Sequence, residues 1–250
     1  MKSRLAGEVG TPPRSTLTNC ARLVAGDDRY TFGLPDWQDA SLLEAVGAVR
    51  ALCGGDPGGV QDQHGHGWID PDRTLESVAL HRDRLAELAG SGGGRVLLAT
   101  GHPTGLLPHY AAIARALQWH GSELLAPLDD LRLASPAGAP NRFRGIRFLD
   151  GVGCVFDGGR LLHTHRARYM EAMLDRLGGG PGVVDLVVAD HGMAGAAIAR
   201  GVPTLSIADV NDPALPLAQA RGRTDGVLAI DDNLAPRLFV PVTQAMLLWP

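Results

Sequence analysis

Five short apolar runs in this chain stop at histidine or aspartate. "RVLLAT" (95–100) leads into Gly101 and His102, and a segment ending in "LLHTH" places His163 and His165. "DLVVAD" (185–190) runs into His191, "PTLSIAD" (203–209) continues to Asn211 and Asp212, and "GVLAI" (226–230) precedes Asp231 and Asp232. Short buried strands that alternate with helical stretches form sheets covered on both faces, and ligands gather outside the carboxyl ends of such strands. Carboxylates are rarely buried unless paired or metal-bound, so the clustering of aspartates at strand ends raises the question of a shared cation.

The stretches between these runs supply the helices. "PTGLLPHYAAIARALQWHG" opens on proline and closes on glycine, "RARYMEAMLDRLGGG" has a glycine stop, and "MAGAAIARG", "PALPLAQARG" and "LAPRLFVPVTQAMLL" complete the alternation. "SELLAP" reads as a further strand, and "IRFLDGVGCVFDGGRLLHTH" as strands around a "DGG" turn. The expected fold is therefore α/β and Rossmann-like: a mostly parallel sheet with helices on both faces, plus a helical N-terminal part. Residues 1–36 read as an irregular lead-in. Helical spacing is expected from Trp37 to about Cys53 and again over "DRTLESVALHRDRLAELAG", with Leu75, Val78, Leu85 and Leu88 on one face. The composition shift falls near Gly92, which divides an N-terminal part (1–92) from the α/β part (93–250) within one structural unit.

Charge narrows the partners. The formal net charge is −4 with no basic run, which argues against a nucleic-acid partner. No run of 18 apolar residues and no leader-like apolar N-terminus occurs, so the expected location is cytoplasmic, away from membranes. Lys2 is the sole lysine, so cationic contacts to a substrate fall to arginine, with Arg142, Arg144 and Arg166 as candidates or as ordinary surface charges. Cys20, Cys53 and Cys154 lack C-x-x-C spacing and read as reduced thiols. Oligomeric state is left open, a homo-oligomer included.

Several short motifs bear on chemistry. In "ATGHPTGLL", Gly101, His102, Thr104 and Gly105 are expected to hold phosphate, with the glycines admitting the anion to backbone N–H groups at a helix start; the alternative is a plain βα turn. His163 and His165 alternate along an extended segment and so face one way, suited to one ion or to proton transfer, and His191 joins them as a catalytic candidate; the alternative is one buried and one solvated imidazole. "HGH" at 64–66 has the same spacing in a glycine-rich loop. Asp190, Asp209, Asn211 and Asp212 offer oxygen ligands to a divalent ion (Mg, Mn, Ni or Zn), although Asp212 before Pro213 also reads as a helix cap. Cys154-x5-Arg160 has the spacing of a cysteine-phosphatase loop, but its context reads as a hairpin, and Asp157 would place a negative charge in the cradle.

Taken together, "ATGHPTGLL", "LLHTH", "DLVVADHGMAG", "GVPTLSIADVNDPAL" and "AIDDNLAPRLFVPVTQAML" resemble a family of actinobacterial proteins described generically as phosphatases, and "AGEVGTPPRSTL" is similar to that family's opening. A looser similarity runs to the metal-dependent damage-control phosphatases, without their Asp-Asn-x-Gly-Glu string. The resemblance implies a phosphatase. Combined with the strand-end residues, the expected function is metal-assisted hydrolysis of a small phosphorylated metabolite. The alternatives are a non-catalytic nucleotide- or phosphosugar-binding protein, and a metal-dependent hydrolase or isomerase of another bond.

Overall fold

A computed structural model describes residues 5–133 and 144–249; Arg142 lies outside the described residues. In chain order the elements are β1 (Gly7–Val9), α1 (Pro13–Val24), α2 (Asp28–Thr31), α3 (Leu42–Cys53), β2 (Gly67–Ile69), α4 (Pro71–Gly90), β3 (Arg95–Thr100), α5 (Pro103–Trp119), β4 (Glu123–Leu124), β5 (Arg132–Leu133), β6 (Arg144–Leu149), β7 (Val152–Phe156), α6 (Arg168–Leu177), β8 (Leu186–Asp190), α7 (His191–Ala199), β9 (Thr204–Ala208), α8 (Ala214–Ala220), β10 (Val227–Ala229) and α9 (Val240–Met246).

The fold is α/β with a mixed sheet. Its strands run in the order β10-β9-β8-β3-β7-β6-β5, with β4 beside the first two residues of β3. Pairings from β10 across to β7 are parallel, whereas β7–β6 and β6–β5 are antiparallel. The antiparallel edge has a local cause. Asp150 and Gly151, with φ of 49° and 80°, form the two-residue turn that joins β6 to β7, and a two-residue link can only connect antiparallel neighbours. The expected turn at "DGG" is present as well: the Asp157 amide donates to the Arg160 carbonyl (3.1 Å) and Leu161 pairs antiparallel with Phe156, before the irregular His163–His165 stretch.

Both faces of the sheet are covered, because its central strands are apolar on each side. Leu97, Ala99, Val187 and Ala189 enter one core with α1, α3, α6, α7 and α8. Val96, Leu98, Leu186 and Val188 enter the other, with α4, α5 and α9. The first core also draws on Val9, Cys20, Leu23 and Ile69, so the first ninety residues pack directly on the sheet. Residues 1–36 depart from the irregular reading: Thr16, Cys20 and Leu23 recur at helical intervals and bury one face of α1. The helix from Trp37 begins later, at Leu42, where the Ser41 hydroxyl accepts from the Glu44 amide (3.1 Å) as an N-cap. On α4, Val78 and Leu85 are buried as expected, but Leu75 points outward, and His81 takes its place on the inner face.

Two buried histidines make acid a stress on this fold. His81 bonds through Nε2 to the Gly226 carbonyl (2.9 Å), and His109 through Nδ1 to the Thr243 hydroxyl (2.7 Å). Burial lowers their pKa values to about 4 and about 3. The unfolded chain takes up protons below pH 6.5 while these folded histidines do not, so their contribution to stability is complete above about 6.5 and is lost as pH falls. Each contributes about 1.4 kcal/mol per pH unit in that window. The urea midpoint is expected to drop between pH 7 and 5, and to drop less in His109→Gln. An equal drop in that variant would show that His109 does not carry this effect.

Candidate active site

The parallel strands β7, β3, β8, β9 and β10 share one polarity, so their carboxyl ends lie along one edge, and the histidines and aspartates that follow them meet there. His102, His163, His165 and His191 form a single imidazole cluster, with ring centroids 4.5 Å apart in the His102–His163 and His165–His191 pairs. Asp212 Oδ2 lies 3.5 Å from His191 Nε2, and Asp232 Oδ2 lies 3.3 Å from the same nitrogen and 3.4 Å from His102 Nδ1. His102, His191, Asp212 and Asp232 are all at most 5% exposed, while His163 faces solvent and His165 is half-buried.

His191 is placed by a turn with no linker, since β8 ends at Asp190 and α7 starts at His191. The backbone therefore bends through a left-handed residue, His191 at φ 46°. Its Nδ1 meets Asp190 Oδ1 at 2.8 Å. The other contacts of Asp190 are also satisfied: Oδ1 accepts from the Gly101 amide (2.8 Å) and Oδ2 from the Thr100 hydroxyl (2.6 Å), and Thr100 in turn accepts from the His102 amide (2.9 Å). Asp190 thus orients His191 and the β3–α5 loop, with its oxygens committed to protein donors.

The remaining predicted residues fall around this centre in different ways. Asp209 is buried and accepts from the Thr11 hydroxyl and the Val210 amide, both at 2.7 Å, which ties the N-terminal segment to the site. Asp212 accepts from the Asp209 amide (3.1 Å) while facing His191. Asn211 is half-buried, and its carbonyl accepts from the Asn19 side chain (2.9 Å). Thr104 is exposed in the first turn of α5. The amides of Gly101 and Gly105 are used within the fold, by Asp190 and by the His102 carbonyl (3.2 Å). Both glycines serve close packing: a Cβ on Gly101 would meet the Thr164 carbonyl at 2.3 Å, and one on Gly105 the Asp232 carbonyl at 2.7 Å.

Other candidates lie apart from this constellation. His64 and His66 are exposed, and His66 contacts the Val9 carbonyl (3.3 Å). Cys154 is fully buried with its thiol pushed up to about 12 by burial, far from the thiolate a nucleophile needs. Arg166 pairs with Asp28. Asp232, which the sequence motifs leave out of the candidate residues, joins His102 and His191 at this centre; the paired aspartates after "GVLAI" are its only sequence signal.

The electrostatics follow from crowding acids around few cations. Burial works against a charged His191, yet Asp212, Asp190 and Asp232 outweigh it and raise its pKa to about 10. Burial lifts the Asp212 carboxyl to about 6 against the pull of His191, and lifts Asp209 well above the carboxylate range with help from Asp232 and Asp212. Burial would raise Asp232 too, but His102 and His191 hold it below its ordinary value. His163 and His165 are lowered to about 4 and about 3 by burial and by neighbouring imidazoles, so both are neutral at pH 7.

Among the described residues no helix is long and apolar enough to cross a membrane. No solved structure matches the chain. A curated relative, "Phosphatase SCO2771" from Streptomyces coelicolor, is 36% identical over 252 residues, covering 99% of this chain and 92% of its own length. The family model described as "Phosphatase" matches residues 1–248. With the match running through every strand end that feeds the imidazole–carboxylate cluster, the chain belongs to the Phosphatase family.

Proposed function

We propose that this protein is a metal-assisted phosphomonoesterase acting on a small phosphorylated metabolite, with His102, His191, Asp212 and Asp232 as the donors to a divalent ion. One observation carries the reading. His102 Nδ1 and Asp232 Oδ2 are buried and make no well-formed hydrogen bond, meeting only each other and His191 Nε2 as ion-pair contacts at 3.3–3.4 Å. Orphaned buried groups are costly unless something satisfies them. Ligands held about 2.0–2.1 Å from one tetrahedral ion lie about 3.3–3.4 Å from each other, which is the spacing of Asp232 to both histidines. Two imidazoles with two carboxylates suit zinc, manganese, nickel or iron better than a magnesium ion, which favours oxygen.

When bound, such an ion offsets the carboxylates, attracts the phosphoryl oxygens and acidifies an attacking water. The protein's own groups do the rest. Asp190 holds the His191 Nδ1 side, so that Nε2, once its proton is displaced by a bound ion, offers its lone pair to the space shared with Asp212 and Asp232, the arrangement in which an outer carboxylate orients a metal-binding histidine. His163 and His165 stand on the solvent side of these donors and are neutral at pH 7, with lone pairs open to a ligand. Thr104, exposed in the first turn of α5 directly after His102, suits an anionic oxygen. Asp209 and Asn211 support the β9–α8 loop and have no ligand role in this scheme.

The test is metal removal followed by a screen. After exhaustive chelation, release of phosphate from p-nitrophenyl phosphate and from sugar, nucleotide and amino-alcohol phosphates is expected to fall at least about 100-fold, and to return with one divalent metal. Undiminished hydrolysis by protein shown to be metal-free would end the metal role. Ligand-induced stabilisation without any phosphate release would favour a binding protein instead.

A further inference from the structure

The four histidines cannot all serve one ion, because an imidazole binds a cation along its nitrogen lone pair, close to the plane of its own ring. His102 and His163 are stacked 4.5 Å apart with an interplanar angle of 6°, and His165 and His191 are stacked 4.5 Å apart at 16°. Rings so nearly parallel do not bring their planes together within a bond length. Each stack therefore contributes at most one ligand to any one ion. His102, His163 and His191 have donor atoms within 4.8 Å of one another, but the first two hold their rings in nearly parallel planes.

The remaining pairings do converge. His102 and His191 are tilted by 41° and both approach Asp232 Oδ2, which is the ion position described above. His163 and His165 are tilted by 46°, and their Nε2 atoms lie 3.1 Å apart. The tautomer of His165 is fixed, because its Nδ1 faces the Arg29 carbonyl at 3.1 Å and a carbonyl only accepts. Its Nε2 consequently carries a lone pair, aimed at the Nε2 of His163. Either His163 donates a proton there, or both nitrogens address a common cation. The second arrangement repeats on the solvent side the pattern seen in the buried pair: an outer acceptor on Nδ1 and a free Nε2, as in His191 with Asp190.

We infer that the site is dinuclear, with His163 and His165 holding a second divalent ion next to the one held by His102, His191, Asp212 and Asp232. The inference rests on the metal-assisted reading above and deepens it. The two stacks set the positions side by side, as in two-metal hydrolytic centres. With two protein donors and an exposed His163, the outer position keeps coordination sites free for phosphoryl oxygens, and it is the weaker of the two.

Manganese titration of the full-length, metal-free protein tests this, with the bound ion counted by elemental analysis and followed by electron paramagnetic resonance. The expected result is two Mn²⁺ per chain, the second weaker, and a spin-coupled spectrum appearing with the second equivalent. In His163→Ala and His165→Ala the tight equivalent stays, while affinity for the other falls at least about tenfold and the coupled spectrum is lost. In Asp232→Asn the tight equivalent is weakened. Saturation of the wild type at one equivalent that Asp232→Asn weakens and His163→Ala leaves unchanged would overturn the second ion and spare the first. Two equivalents unaffected by either histidine variant would also overturn it, and no binding at all would overturn both readings.

Discussion

Replacing His191 by asparagine lowers kcat/KM for phosphate-ester hydrolysis by about 10³-fold or more, because one side chain carries three separate demands. Its Nδ1 is held by Asp190, its Nε2 faces Asp212 and Asp232, and its backbone sits at φ 46° where the strand turns straight into α7. Asparagine is the informative replacement, since it tolerates the left-handed conformation that alanine resists and can still bond to Asp190. The variant thus removes the ligand nitrogen and little else. Asp212 already has its carboxyl lifted to about 6 by burial, so it can accept a proton once the imidazole is gone, which limits the loss of stability. Circular dichroism and a thermal melt establish the fold, and metal content should fall with activity. Asp190→Asn weakens metal binding by about 10- to 100-fold, the usual effect of losing an outer partner of a metal-binding histidine. Asparagine at 191 with more than a tenth of normal turnover and full metal content would remove His191 from the centre.

Much of this arrangement was legible in the sequence, for a physical reason. Parallel strands share a direction, so polar residues that follow successive apolar runs must arrive at one edge; this is why His102, His163, His165, Asp190, His191, Asp212 and Asp232 come together although they are up to 130 residues apart in the chain. What periodicity could not show was how each group is used. Asp190 reads as an oxygen ligand by type, but its oxygens are taken by Thr100, Gly101 and His191, partners that only the folded loops supply. Asp231 and Asp232 are neighbours with the same chemistry, and the backbone decides between them: Asp231 caps the Asn233 amide (3.0 Å) while Asp232 turns to the histidines. Two Asp-Gly turns lie seven residues apart at the antiparallel edge, at 150 and 157; the second was legible from its turn chemistry, whereas the first, which sets β6 against β7, shows only in the strand pairing. The helix at Pro13–Val24 was missed because its buried stripe is partly polar, with Thr16 fully enclosed.

Gly192→Ala and Gly101→Ala are expected to disable the site chiefly by displacing its backbone. The loops that carry the histidines approach each other backbone to backbone, and these two glycines are where they do so. A Cβ on Gly192 would lie 2.3 Å from the His165 carbonyl, 2.6 Å from the Ala167 amide and 2.6 Å from the Arg166 carbonyl carbon; a Cβ on Gly101 would lie 2.3 Å from the Thr164 carbonyl. These are main-chain atoms on both sides of His165, so no side-chain rotation relieves the clash and the His163–His165 segment must move. Overpacking of this kind costs about 1–3 kcal/mol. A displacement of about 1 Å at reacting groups can cost about 10²-fold in rate, so activity should fall much further than a melt would suggest. Gly90→Ala provides the contrast: its Cβ meets nothing within 4 Å at the exposed end of α4, and it should match the wild type in rate and equal or slightly exceed it in stability. Under the dinuclear arrangement, the weaker manganese equivalent should go first in Gly192→Ala, because the displaced backbone belongs to the outer pair. The tight equivalent should weaken less, since of its donors only His191 adjoins Gly192, while His102, Asp212 and Asp232 hang from other loops. A Gly192→Ala protein with normal turnover and both ions in place would mean that the segment carrying His163 and His165 is not held where these contacts put it.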